Sequence, residues 1–327
     1  MKANSVQSSC LPAQSVDNVQ LPWGYVITPH KPFWRFQMIT GSIVALLTPM
    51  HADGSIDWAS LELLLDMHLA KGTSAVVAVG TTGESATLSV PEHCELIHHC
   101  VKYVNGRMPV IAGTGSNSTA EAIELTQVAA KAGVDACLLV TPYYNRPTQR
   151  GLFEHFKAIA EKVSVPQILY NVPGRTSVDM HNDTVVKLAA LGHIVGIKDA
   201  TGDLTRGRDL IARCNEDFAI YSGDDATAME LILAGGRGSI SVTANVAPQC
   251  SADMCRYALA KDRQAATQEN DRLEALNDAL FLEANPIPVK WAAHKRGLIG
   301  PGIRLPLTVL DEQYHAQVEA AMESVGV

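Results

Sequence analysis

The chain has 327 residues, 47% of them hydrophobic, enough for one large domain or two smaller ones. Its formal net charge of -8 argues against a nucleic-acid partner or an anionic-membrane surface. No apolar run reaches the ~18 residues of a membrane span, and seven cysteines without a CxxC pair fit free thiols in a reducing cytoplasm better than a disulfide framework or a zinc site.

Residues 1–37 are rich in Ser, Gln, Asn and Pro and then in aromatics such as Trp23, Phe33 and Trp34. They lack the basic start and apolar core of a secretory signal. We expect a weakly ordered N-terminal extension, with the usual start at Met38.

From Ile43 a rhythm begins. Short, β-branched apolar runs are expected as strands at Ile43–Thr48, Ala75–Val79, Pro109–Gly113, Ala136–Thr141, Gln167–Tyr170, Ile194–Lys198, Phe218–Ser222 and Gly238–Val242. Amphipathic stretches between them predict helices at Trp58–Ala70, Pro91–Val104, Thr119–Ala132, Leu152–Lys162, Asn182–Leu191 and Ala226–Ala234. Ser89 suits the N-cap before Pro91, and Gly72, Gly133 and Gly235 stand where helices end in a left-handed residue. Eight such repeats point to an α/β fold, a (β/α)8 TIM barrel over residues 38–250. A doubly wound sheet would want a glycine-rich phosphate loop after its first strand, where this chain has Thr48-Pro49-Met50-His51. Residues 251–327 read as a C-terminal all-α appendage, broken at Asn285-Pro286-Ile287-Pro288 and at Gly300-Pro301-Gly302.

In a barrel of this kind chemistry belongs at the C-terminal ends of the strands. That rim carries Thr48, Gly80–Ser85, Thr114, Thr141–Asn145, Tyr170-Asn171, Lys198, Ser222–Asp225 and Ser241–Thr243. It is rich in hydroxyls and holds one lysine. Lys198 ends an almost unbroken apolar run, where an ammonium is costly without a partner. Burial lowers a lysine pKa from about 10.4, and the neutral amine can form a Schiff base with a carbonyl. The plainer reading has Lys198 tipping into solvent or pairing with Asp199. Arg175 is either a solvated loop charge or a bidentate clamp for a carboxylate. Rival sites are weaker. Glu92, His93, Glu95, His98 and His99 lack an HExxH pattern and suit a solvated helix face, so no metal and no cofactor is expected. Gly113-Thr114-Gly115 lacks the third glycine of a dinucleotide fingerprint. Asp224-Asp225 would repel a phosphate after strand seven, which favours an unphosphorylated substrate.

Taken together, GTTGES (Gly80–Ser85), TPYYNRP (Thr141–Pro147), ILYNVPGRT (Ile168–Thr176), GIKDATG (Gly196–Gly202), SGDD (Ser222–Asp225), ISVTANVAP (Ile240–Pro248) and NPIPVKW (Asn285–Trp291) resemble the dihydrodipicolinate synthase family of pyruvate-dependent class I aldolases. The likeness runs from Met38 to the end of the chain. It implies condensation of pyruvate with L-aspartate 4-semialdehyde in lysine and diaminopimelate biosynthesis. By that resemblance Lys198 forms the Schiff base, Tyr170 donates and accepts protons, and Thr81 and Tyr144 relay them, Tyr144 reaching in from a neighbouring subunit. Thr82 matches the pyruvate carboxylate site, Ile240 a backbone contact to pyruvate, and Arg175 the rim residue that receives the semialdehyde carboxylate.

The resemblance also implies an allosteric site for L-lysine at a subunit interface, matched by Ser85, Ala86, Val90, His93, Asn117, Glu121 and Tyr143. Val90 departs from the histidine that lysine-sensitive bacterial members often carry there, so inhibition weaker than usual is expected. Asp199 departs conservatively from a common Glu. The implied assembly is a homo-oligomer, a dimer of dimers. Sister aldolases such as N-acetylneuraminate lyase or a 2-keto-3-deoxy sugar-acid aldolase share the lysine and the tyrosine. Arg175 and the Tyr143-Tyr144 pair suit a short amino-acid semialdehyde better.

Overall fold

The computed structural model describes residues 38–327, together with a two-residue strand pair at Val19–Gln20 and Val26–Ile27. The expectation of a weakly ordered extension falls largely on residues outside those described. Eight parallel strands close a barrel in sequence order: β1 (Gly41–Ala45), β2 (Ala75–Ala78), β3 (Val110–Gly113), β4 (Ala136–Val140), β5 (Gln167–Asn171), β6 (Ile194–Asp199), β7 (Ala219–Ser222) and β8 (Gly238–Ser241), which pairs back onto β1. Each strand is buried on both faces, which is why the runs read as continuously apolar rather than alternating. Ile43, Val77, Ile111, Leu138, Ile168, Tyr170 and Tyr221 share the interior cluster of the barrel. The alternate residues Val44, Val76 and Ala112 belong to the layer packed against the surrounding helices.

The crossover helices are α1 (Trp58–Ala70), α2 (Val90–Val104), α3 (Thr119–Ala132), α4 (Gln149–Lys162), α5 (Asn182–Ala189), α6 (Leu204–Arg213), α7 (Ala228–Ala234) and α8 (Pro248–Leu259). Local chemistry sets most of their starts. Asp57, Ser89, Ser118, Thr148 and Asp203 each accept a backbone N–H of the first turn, and Ser89 with Glu92 forms a full capping box. Gly133 closes α3 in the left-handed region at φ 89°. The helix α6 has no counterpart among the helices expected from the sequence. Its exposed positions are crowded with Thr205, Arg208, Asp209 and Arg213, Arg206 beside them is half-buried, and only Gly207 and Leu210 are fully buried, so the apolar signal is thin. The helix α8 runs unbroken through residues 250 and 251 and packs on β1, as an eighth barrel helix does. Beyond it, α9 (Arg263–Ala279) packs along α8, and α11 (His315–Val325) packs on both α9 and α10 (Ile287–Lys295). Among the described residues no helix is long and apolar enough to cross a membrane, and Cys94, Cys100, Cys137, Cys214, Cys250 and Cys255 are free thiols.

Candidate active site

Lys198 is the fifth residue of β6 and lies in register with Tyr170 of β5. Neighbouring residues in register on parallel strands point to the same side of the sheet, and Tyr170 belongs to the barrel interior. The lysine is 5% exposed and its Nζ stands 4.4 Å from the centroid of the Tyr170 ring. It therefore does not tip into solvent. Nor is Asp199 free to pair with it. One Asp199 oxygen accepts Arg206 Nε at 2.6 Å, and the other accepts the Thr201 backbone N–H at 2.9 Å and also its hydroxyl. Arg206 was invisible as a site determinant in the sequence, since its helix had no clear signal. Gly223, just past β7, leaves the space that Lys198 fills: a Cβ there would lie 2.8 Å from Lys198 Cε and 2.9 Å from its Cγ.

The loop after β2 carries Thr81 and Thr82 on a strained backbone. Val79, a β-branched residue, sits at φ 55° and Glu84 at φ 59°. Thr48 Oγ1 donates to the Gly83 carbonyl at 2.7 Å and holds the loop against the end of β1. Gly113 is a glycine because a Cβ would meet Val79 O at 2.4 Å, and Gly115 because one would meet Val140 N at 2.3 Å. Both glycines thus serve close backbone packing. Thr82 is buried, and its Oγ1 accepts a hydrogen bond from Asn285 Nδ2 at 3.0 Å. Arg175 lies exposed on a short helical turn, Pro173–Thr176, and its Nη2 donates to the Asn285 carbonyl at 3.0 Å. Ile240 is buried in β8, in register with Ile43 of β1.

A cavity of about 430 Å³ opens beside these residues. Its wall joins Thr81, Arg175 and Asn285 to Ser85, Ala86, Val90, His93, Glu121 and Tyr143. Asn117 is not on that wall; its carbonyl accepts Asn145 Nδ2 at 2.8 Å and so braces the loop that holds the tyrosines. Lys198, Tyr170, Thr82 and Ile240 are buried and are not on the wall either. Tyr144 stands apart from the cavity, 91% exposed and at φ 70°. Ser116 donates to Glu121 Oε2 at 2.6 Å. His93 Nε2 lies 2.8 Å from the Gly113 carbonyl. A carbonyl only accepts, so Nε2 bears the proton and Nδ1 remains an acceptor. Burial pushes the His93 pKa below its ordinary value, partly offset by the Gly113 carbonyl and the Glu121 charge.

In the polar cluster on α2, Glu92 binds Arg304 through both oxygens, and His99 pairs with Glu62 at 3.1 Å. Asp225, expected to repel phosphate, accepts the backbone N–H groups of Val242 and Thr243 at 2.9 and 3.0 Å, so it anchors the loop after β8. Asp224 accepts from the backbone and hydroxyl of Thr227, just before α7.

A sequence profile of the Dihydrodipicolinate synthetase family matches residues 38–325. The chain belongs to the dihydrodipicolinate synthase family. It is a lyase of that family. Among curated family members, the 4-hydroxy-tetrahydrodipicolinate synthase of Thioalkalivibrio sulfidiphilus is 64% identical over 290 residues, covering 89% of this chain and 99% of the relative. That of Pseudomonas aeruginosa is 60% identical, with the same coverage. The solved dihydrodipicolinate synthase of Acinetobacter baumannii, described as chloride inhibited and complexed with pyruvate, superposes with a TM-score of 0.88 at 57% identity, covering 88% of this chain and 99% of that one. The family enzyme from Cyanidioschyzon merolae, solved with lysine bound, gives 0.85 at 40% identity over 88% and 98% of the two chains.

Proposed function

We propose that this chain condenses pyruvate with L-aspartate 4-semialdehyde to 4-hydroxy-tetrahydrodipicolinate, through a Schiff base on Lys198, in lysine and diaminopimelate biosynthesis. The observation that carries the reading is a buried lysine against the Tyr170 ring, with its neighbouring carboxylate already bound to Arg206. The Lys198 amine attacks the ketone carbon of pyruvate and water leaves. The resulting iminium is an electron sink that acidifies the methyl group, and loss of a methyl proton gives the enamine. The enamine carbon attacks the aldehyde carbon, and the aldehyde oxygen takes up a proton. Ring closure by the semialdehyde's own amine onto the former ketone carbon releases the lysine. Tyr170, Thr81 and the Tyr144 of a second subunit move these protons without bulk water. Thr82 holds the pyruvate carboxylate, aided by the backbone at Ile240, and Arg175 receives the semialdehyde carboxylate at the rim.

The cavity beside the catalytic loop supports a further reading, that L-lysine binds there as an inhibitor. Glu121 would meet an ammonium group, His93 Nδ1 offers a second acceptor, and Ser85, Ala86, Val90 and Tyr143 complete the wall, with Asn117 behind it bracing the loop that carries Tyr143. A tyrosine as exposed as Tyr144 supports an assembly in which a partner subunit covers it, within a dimer of dimers.

Borohydride reduction with pyruvate, read by peptide mass, tests the mechanism. The expected result is a pyruvyl adduct on Lys198, with product formed once the semialdehyde is added. An adduct without turnover of the semialdehyde would move the substrate assignment to a sugar-acid aldolase. Absence of any adduct would overturn the Schiff-base reading.

A further inference from the structure

The motif Asn285–Trp291 lies far along the chain from the barrel strands, yet Asn285 reaches both substrate-binding positions. Its side-chain Nδ2 donates to Thr82 Oγ1 at 3.0 Å, and its backbone carbonyl accepts Arg175 Nη2 at 3.0 Å. The residue is 5% exposed. A threonine hydroxyl has one proton and two lone pairs. With a lone pair held by Asn285, the Thr82 proton is left to donate elsewhere. The opposite amide orientation would turn Oδ1 toward the hydroxyl and place the NH2 group, with its two N–H donors, in the buried position where Oδ1 now has no protein partner. The observed one leaves only Oδ1 without a protein partner, and an under-satisfied carbonyl is the cheaper vacancy.

We infer that Asn285 is a positioning residue that fixes the polarity of the Thr82 hydroxyl, so that Thr82 presents its proton, rather than a lone pair, to the pyruvate carboxylate. This rests on the assignment of Thr82 to that carboxylate. The side chain and the backbone of Asn285 then have separate tasks: the amide sets the pyruvate site, and the carbonyl holds Arg175 for the second substrate.

Asn285→Asp keeps the shape but replaces the donor with a carboxylate, which only accepts. Thr82 must then turn its proton to residue 285 and face the substrate with a lone pair. The KM for pyruvate should rise by about 30-fold or more, whereas Asn285→Ala, which leaves the hydroxyl free to rotate, should raise it only about threefold. In both variants the KM for the semialdehyde should stay within about twofold, because the backbone carbonyl remains. Lowering the pH should restore pyruvate binding to Asn285→Asp, since the protonated acid donates again; a merely structural defect would not recover. Thermal unfolding and adduct formation at saturating pyruvate confirm an intact site. Thr82→Val serves as the separate control. If it leaves the pyruvate KM unchanged, the assignment of Thr82 has failed. If it raises that KM while Asn285→Asp is no worse than Asn285→Ala, or while both substrates weaken together, the polarity inference is overturned.

Discussion

Gly223 sets how much room the Lys198 side chain has. A methyl group there would press on the middle of the lysine chain as well as near its tip, and on Ala200 Cβ at 2.8 Å. The Cγ cannot swing away as a free end can, so the amine has to shift. Displacement by even an ångström from an attack geometry costs catalysis heavily. Gly223→Ala should therefore slow pyruvate trapping by about 10- to 100-fold, by the cost of misplacing a reacting group. Single-turnover borohydride trapping measures this, and an unchanged rate would show that the lysine tolerates the shift. The pair of Asp199 and Arg206 works the other way, by removing a carboxylate from competition. Arg206 reaches Asp199, Asp179 and the Met180 carbonyl together, so it ties β6 to the segment following β5.

At the scale of elements, the loop after β2 is held from outside the barrel. Glu84, in a left-handed conformation, is wholly buried and accepts hydrogen bonds from Lys290 of α10 and from the Arg304 backbone N–H. Removing one partner of a buried pair strands the other charge. Lys290→Ala should destabilise the fold by about 3–5 kcal/mol, the cost of an uncompensated buried charge. The double variant Lys290→Met with Glu84→Gln should recover much of that loss in chemical denaturation. Equal stability of the single and double variants would contradict the charge argument. Arg304 also grips Glu92 at the start of α2 and holds its carboxyl at about 2, below the ordinary 4.5. A depressed carboxyl pKa contributes stability that is complete above about 4.5 and lost as the pH falls toward about 2. The midpoint of thermal unfolding should drop through that window, and Arg304→Gln should make the drop shallower. The same slope in both proteins would remove Glu92 from the account.

For the whole molecule, the test concerns where Tyr144 acts. If it completes the site of a second subunit, Lys198→Ala and Tyr144→Phe should each lack activity alone and complement when co-expressed. In a mixed dimer one site has both lesions and the other has neither. About half of randomly paired dimers are mixed, so activity should return to about a quarter of wild type. No recovery would place Tyr144 in the site of its own chain. Inhibition by L-lysine can be read on the same preparation. Loss of rate at millimolar lysine is expected, and Glu121→Gln should weaken it by about tenfold or more, the scale of a lost charge-assisted hydrogen bond.

The repeating apolar runs by themselves determined the barrel, because strands buried on both faces must be continuously apolar and crossover helices must show one apolar stripe. Caps such as Ser89 were equally readable, since the residues that make them are neighbours in sequence. Lys198, Tyr170 and the threonines could be named because motif and strand-end position coincide. What remained was non-local. Arg206 next to Asp199, Gly223 against the lysine chain, and Lys290 and Asn285 on the loop after β2 all depend on segments brought together by closure of the barrel and docking of the C-terminal helices. A side chain's partner across 203 residues of chain leaves no periodic or composition signal. Only the tertiary structure decides it, because burial and hydrogen-bond polarity are properties of the space a residue enters, not of the residue.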